Sequence, residues 1–553
     1  MNLPNPALVT QRGARSLPRL ALLLLCAAYL LPGLVGRDPW RDADLIAHAQ
    51  MLGIAQGHIS WLAPTLGQVP VDDGSWLPNA LGALFIHLGT PWLEPALAAR
   101  LPFTLMLAFT LSLTWYATFH LARTERAQPL ALAFGGEAEP VDYARAIADG
   151  AVLALVATLG LLQLGHETTP ELVQLCATGL FLYGLAAGPF RRWQAPLAVT
   201  VSLATLTTSG APAVATALGV VGTVVCLRSA FPEVRRLARW VVLGTLAAVI
   251  LATATGAWRW RAAWPGVSEM PILLRQWAWF LWPTWPLVLW TLWRWRGRLL
   301  NRHLSVPLTL LGVALAANIT SNGLDRALML GVPGAAVLAA FALPTFKRST
   351  TAAIDWFSMF FFSLSAIAIW VIYLAMQTGV PAKPAANVAK LVPGFTATFS
   401  PLALNVALAG TVAWLWLLRW RTGRHREALW KSMVLPAGGV ALSWLLLMTL
   451  WLPLLDYARS MRPWLERLSP HLEQAGCVWA PGAARVTVAA LEMHPRVAVD
   501  ARSQDAGTCG LMLRVVRTGP LPVVDAPWAL VAQVRRPTDR EEVTALYARR
   551  STP

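Results

Sequence analysis

Thirteen apolar runs constrain this chain more than any other feature. They fall at roughly 18–36, 101–122, 147–165, 171–189, 195–209, 211–229, 238–257, 276–294, 305–321, 327–344, 354–376, 399–419 and 433–453. A helix of about 20 apolar residues spans the hydrocarbon of a bilayer, so runs of this length read as membrane helices. The fifth run is short, and only Ser209 and Gly210 part it from the sixth. Arg12, Arg15 and Arg19 precede the first run, as they would in a signal peptide. No small-residue cleavage site stands out and twelve further runs follow, so the first run is read as a span.

Charge supports the count. Charged residues make up 13% of the chain, against about 25% in soluble domains. The 45 Lys and Arg against 28 Asp and Glu give a net charge of +17. In a soluble protein that excess would suggest a nucleic-acid partner; here it sorts by membrane side. With the N-terminus in the cytoplasm, 23 basic residues fall on the cytoplasmic side and nine in the loops opposite. This is the asymmetry that orients membrane proteins. One miscounted span would reverse every later cluster. The reading is therefore a mainly α, polytopic membrane protein with about thirteen transmembrane helices, no nucleic-acid partner and an outer C-terminus.

The composition changes after residue 455. A transmembrane domain over 1–455 is followed by a small α/β domain over 456–553. Segments 477–480, 485–491, 496–500, 509–517 and 528–535 read as strands, and 538–549 as a helix. Cys477 and Cys509 are the only cysteines of this tail; they are a disulfide in an oxidising compartment or two buried thiols. Cys26, Cys176 and Cys226 lie in the spans, as packing residues.

The loop 37–100 is the one long outer loop between spans. Asp38, Asp42, Asp44, Asp72, Asp73 and Glu94 oppose Arg37, Arg41 and Arg100 in it, so it is acidic inside a basic protein. Amphipathic stretches at 45–56 and about 76–89 follow the two aspartate clusters. Asp42 and Asp73 are thus either helix N-caps or carboxylates that do chemistry, as a general base or around a divalent ion. His58 and His166 are the histidines that could join Asp72 or Asp73 around a metal, but no ligand spacing marks one. Three outer arginines, Arg259, Arg261 and Arg275, are interleaved with Trp258, Trp260, Trp264 and Trp277. They suit either interfacial anchoring or bidentate contact with a phosphodiester. Lys383 and Lys390 are further outer cations. The chain has no Walker A motif, dinucleotide fingerprint or HExxH zinc motif.

The loop has an order of its own. Asp42-Ala43-Asp44 opens an amphipathic stretch; Trp61-Leu62-Ala63-Pro64-Thr65-Leu66 and Val69-Pro70-Val71-Asp72-Asp73 follow; Ala98-Ala99-Arg100-Leu101-Pro102 enters the second span. In this order the loop resembles the glycosyltransferase 39 superfamily of GT-C membrane enzymes. Trp279-Phe280-Leu281-Trp282-Pro283 and Asp325-Arg326 add weaker support. The resemblance implies a bacterial inner-membrane glycosyltransferase with a periplasmic C-terminal domain. It would move a sugar from a polyprenyl-phosphate donor to a lipid A-like glycolipid or protein acceptor, among membrane lipids. It puts the base at Asp42 or Asp44 and a second acidic site at Asp73. The donor phosphate would fall to Arg259, Arg261, Arg275 or Lys383. No cofactor is certain, and a divalent metal is the one candidate. The family's usual F-E-K-P-P is replaced by Asp72-Asp73-Gly74-Ser75-Trp76, so its lysine is absent. The other classes are a lipid-linked-sugar flippase, for which charges in the span interiors are scarce, and a non-catalytic relative.

Overall fold

A computed structural model describes residues 5–71, 74–131, 135–258, 264–423, 428–472, 476–494, 497–503, 509–517 and 527–549. The first run folds as α1 (Arg19–Leu30). The loop 37–100 supplies α2 (Ala43–Ala55), a small hairpin of β1 (Thr65–Leu66) and β2 (Val69–Pro70), and α3 (Trp76–Gly89). The following runs give α4 (Pro95–Ala122), α5 (Pro140–Ala157) with the short α6 (Leu161–Leu164), and α7 (Pro170–Ala187). Next come α8 (Gln194–Thr208), α9 (Pro212–Leu227) and α10 (Pro232–Ala254). The eighth run is split into α11 (Met270–Phe280) and α12 (Thr284–Arg294); α13 (Arg302–Thr320) follows, and the tenth run is split into α14 (Asp325–Met329) and α15 (Val332–Ala340). Then come α16 (Arg348–Thr378), the short helix α17 (Ala382–Leu391), α18 (Pro401–Thr422) and α19 (Lys431–Leu450).

Seven of these, α4, α7, α10, α13, α16, α18 and α19, are long and apolar enough to cross a membrane. The other six predicted spans fold as helices that are shorter, broken or more charged; α5 carries Asp142, Arg145 and Asp149 within its 18 residues. Burial orders the layers. The most apolar window of α19 is 83% buried and that of α18 only 11%. α19 is therefore a core helix, while α18 and much of α16 turn Leu, Phe and Trp outward, as a surface facing lipid tails would.

Two helix breaks face each other. α5 ends at Ala157 and α11 at Phe280. The carbonyls released at the second break, Phe280 and Trp282, accept from the amides of Gly160 and Leu159, each at 2.9 Å. Buried backbone freed from a helix needs such a partner. The approach is close enough to require glycine: a Cβ on Gly160 would stand 2.4 Å from the Phe280 ring.

After α19 the chain runs through α20 (Leu452–Arg459) and α21 (Arg462–Leu472) into a mixed five-stranded sheet. Its order is β4 (Ala498–Asp500), β3 (Cys477–Trp479), β5 (Leu511–Arg517), β7 (Glu542–Arg549), β6 (Trp528–Val534). The β4–β3–β5 pairings are parallel and β5–β7–β6 antiparallel. Two sequence expectations fail here. Residues 485–491 form α22 (Arg485–Glu492), not a strand: Val486, Ala489 and Ala490 make one buried helical face. Residues 542–549 are strand β7, not part of a helix, because Val543–Tyr547 are buried between two partner strands. Cys477 and Cys509 are joined as a disulfide.

This sheet shares a core with the loop 37–100. Leu45, Ala49, Leu66 and Val71 pack with Trp464, Leu468, Val486 and Val488. The hairpin tip is pinned: the Gly67 amide donates to Glu492 at 2.6 Å, and its carbonyl accepts from Ala501 at 2.8 Å. Gly67 has φ 59°, and a Cβ there would lie 2.7 Å from Ala501 and Val488.

Gly160→Ala is expected to cost about 1–3 kcal/mol by overpacking and to lower the thermal midpoint of the purified protein. Adding Phe280→Ala is expected to cost less than the sum of the two single changes, since the pair shares one contact.

Candidate functional site

Sequence put both Asp42 and Asp44 forward, and the fold gives them opposite surroundings. Asp44, in the first turn of α2, is 1% exposed. One of its oxygens accepts from the Thr168 amide and hydroxyl, both at 2.7 Å; the other accepts from the Trp40 amide at 3.0 Å and lies 3.8 Å from Arg37. Burial alone would raise its pKa, but Arg37, Arg100 and the Thr168 bonds together outweigh burial and hold it below the ordinary value of 3.8. All its oxygen valence is committed to holding the chain.

Asp42 stands at the N-cap position of α2 yet makes no capping bond, and its side chain is 80% exposed. Its backbone has φ 79°, ψ −129°. That is the mirror image of extended backbone, which glycine enters freely and other residues at a cost of about 1–3 kcal/mol. The helix-cap reading therefore fails for Asp42, whose carboxylate points to solvent.

The space it faces is a cavity of about 770 Å³. Trp40–Ala43 form one wall, and the floor is Leu159–Leu164 with Phe280, the two facing helix breaks. Glu167, Asp325 and Arg326 close one side; Arg459 at the end of α20 and Arg536 before β7 close the roof. Four arginines thus line the cavity. Arg326 is paired with Glu167 at 2.5 Å and lies 4.0 Å from Glu171. Burial and the charge of Asp44 push the Glu167 carboxyl up, against the pull of Arg326. Arg41 reaches Asp539 at 3.3 Å and Glu542 at 3.5 Å.

Arg459 and Arg536 are different. Neither has a carboxylate within ion-pair distance among the described residues. Arg459 donates to Gln163 at 2.6 Å and lies 5.0 Å over the Trp40 ring. Arg536 donates to the Ala458 carbonyl, and its Nε is buried without a hydrogen-bond partner among the described residues. Burial and the neighbouring Arg41 lower its pKa, as two like charges held together would. The carboxylates of Asp539 and Asp42 act on Arg536 in the opposite sense.

The remaining candidates are dispersed or lie outside the description. Asp72 and Asp73, and Arg259 and Arg261, fall outside the described residues. Arg275 on α11 and Lys383 on α17 are exposed and do not line the cavity. His58 is exposed after α2. His166 is committed to the carbonyls of Leu162 and Tyr29, both at 2.8 Å, and stacks on Trp444. No group of three or more His, Cys, Asp or Glu side chains that could hold a metal occurs among the described residues. Gly74, where the resemblance would put a lysine, has φ 68°. Arg459 and Arg536 carried no motif, and only the docking of the tail on the loop brings them to Asp42.

Asp44→Asn is expected to cost about 3 kcal/mol, as a buried ion pair broken on one side does. Because its folded pKa is depressed, Asp44 contributes stability above its unfolded pKa, and that contribution is lost as pH falls below about 4. The wild-type thermal midpoint should therefore fall towards that of Asp44→Asn as pH is lowered through this range. Asp42→Gly is expected to stabilise by about 1 kcal/mol through relief of its backbone conformation.

No protein-family model matches the sequence, and no curated protein does. Among solved structures, ArnT from Cupriavidus metallidurans bound to undecaprenyl phosphate superposes with a TM-score of 0.55 at 14% identity, covering 95% of this chain and 96% of that one. The same protein in the apo state gives 0.54 at 15% identity over the same shares. The chain therefore has the fold of ArnT from its first helix through its C-terminal sheet.

Proposed function

We propose that this protein is an integral-membrane glycosyltransferase. It takes a sugar from a polyprenyl-phosphate donor and passes it to a glycolipid or protein acceptor at the outer face. One observation carries this reading: an exposed, backbone-strained carboxylate, Asp42, whose ion-pair neighbour is Arg41 at 4.0 Å, shares a cavity large enough for a sugar phosphate with two arginines that have no carboxylate within ion-pair distance among the described residues. The ArnT likeness over 95% of the chain supports it, since that protein was solved with undecaprenyl phosphate.

The chemistry follows from the charges. Asp42 accepts the proton of the acceptor hydroxyl, whose oxygen bonds to the anomeric carbon as the carbon–oxygen bond to the lipid phosphate breaks. The configuration inverts, and the bond's electron pair leaves on the phosphate. That oxygen gains negative charge in the transition state, and Arg459 and Arg536 stand ready to offset it. Arginine in these two places takes the part that the missing lysine near Gly74 would play. The lipid tail has its own course. An apolar groove of about 310 Å³ between Trp282, Pro286, Phe357 and Phe361 shares Leu159 with the cavity and opens among the helices.

The thirteen-span topology belongs to the same proposal. It puts the N-terminus in the cytoplasm and the cavity, the sheet and the disulfide outside, in an inner membrane. Asp73 is proposed as a second acidic group, and Arg259 and Arg261 as further contacts to the donor phosphate; all three lie outside the described residues.

The reading is tested by glycolipid mass spectrometry of cells expressing wild type or Asp42→Asn at matched membrane levels. Wild type is expected to yield a sugar-modified acceptor, and Asp42→Asn to lose at least about a hundredfold in rate, the usual worth of a general base. Arg459→Gln and Arg536→Gln are expected to raise the KM for the polyprenyl-phosphate sugar about tenfold each, one lost charged hydrogen bond apiece. Full transfer by Asp42→Asn would overturn the assignment.

A further inference from the structure

A second basic cavity lies at the other end of the helical domain. α7 separates the two: the catalytic cavity stands at its N-terminal end, and 18 residues place its other end about 27 Å away. There the end of α4, the end of α9 and the start of α13 enclose about 420 Å³. Arg126, Arg228 and Arg302 line it, with Glu125 as the acidic residue of the lining.

The polar groups in it are unusual for a helix interface. Arg302 is 9% exposed, and only one of its guanidinium nitrogens is used, donating to the Leu185 carbonyl at 2.5 Å. Its Nε and Nη1 have no hydrogen-bond partner among the described residues. The adjacent His303 is fully buried, with neither ring nitrogen partnered among the described residues. A buried unpaired donor costs about 1–3 kcal/mol, and more when charged, so two such side chains on one cavity call for an acceptor. Arg302 and His303 are also the first residues of α13, whose amides have no acceptor within the helix and whose dipole favours an anion. Arg126 is held beside them by Asn301 at 3.5 Å.

We infer that this cavity is a phosphate-binding site, distinct from the catalytic one, in which Arg302, Arg126 and Arg228 hold a phosphate group. Two sources share that chemistry: the headgroup of an anionic phospholipid, or free phosphate. Val224 and Leu300 on the cavity lining are 42% and 83% exposed, which gives acyl chains an apolar surface beside the arginines. Basic pockets between membrane helices take anionic headgroups in this way.

The test uses the full chain purified in detergent and incubated with equal amounts of phosphatidylglycerol and phosphatidylcholine. Native mass spectrometry counts the lipid retained. In parallel, calorimetry titrates inorganic phosphate into the protein in phosphatidylcholine nanodiscs. The Arg126→Gln/Arg228→Gln double variant changes two exposed side chains and leaves the buried Arg302 in place, and Arg236→Gln on α10 controls for total charge. Phosphatidylglycerol retention that falls about tenfold in the double variant, and not in the control, supports a lipid headgroup. Binding of inorganic phosphate that the double variant loses, without a lipid preference, supports free phosphate in the same site. Wild type binding neither, or the double variant binding both as wild type does, overturns the proposal. Because the readout is binding at the end of the domain away from Asp42, it stands or falls separately from sugar transfer.

Discussion

The buried carboxylate of Asp44 holds the working part of this protein together. It ties its own loop, through Arg37 and Trp40, to Thr168 before α7. Two residues before it, Asp42 has a backbone conformation that only glycine adopts without cost. One aspartate is buried and fully bonded, while its neighbour two positions away stays 80% exposed, with Arg41 4.0 Å from it. The neighbouring Asp38 and Asp456 extend the knot to α20. Burial and the charge of Asp38 push Asp456 up to about 6 while it accepts from the Asp38 amide and the Trp40 indole.

The same economy shapes the cavity floor. Two helices stop short where they face each other, and amides at one break donate to carbonyls released at the other. The result is a polar-backed hollow between packed helices. The roof is built by a part of the chain more than 400 residues away in sequence, docked on the loop 37–100 through a shared apolar core. Arg459 and Arg536 therefore meet Asp42 only in the folded whole.

That division explains what could be read from the sequence. The apolar runs and their arginine asymmetry point to the helical architecture, because hydrophobic length and charge are local properties. The pair Asp42 and Asp44 stood out as acidic in a basic chain, but whether either one was exposed depended on Thr168 and Arg37, which no spacing rule connects to them. Arg459 and Arg536 looked like ordinary tail charges. The two mistaken elements of the tail have a common cause. The β-branched Arg485–Val488 segment favours strand locally, and Glu541–Glu542 beside Ala and Leu favours helix locally. In each case burial against neighbours outweighed the local preference. Likewise, the helix break at Trp282–Pro283 matters less for its proline than for the amides of Leu159 and Gly160 that answer it.

The most direct test of the account is a structure of the protein with undecaprenyl phosphate in a lipid nanodisc. The account requires the phosphate to lie in the cavity within hydrogen-bond reach of Arg459 and Arg536, with Asp42 facing it across the space left for the sugar. A phosphate found outside that cavity, or one bound there with Asp42 turned into a capping bond on α2, would contradict it.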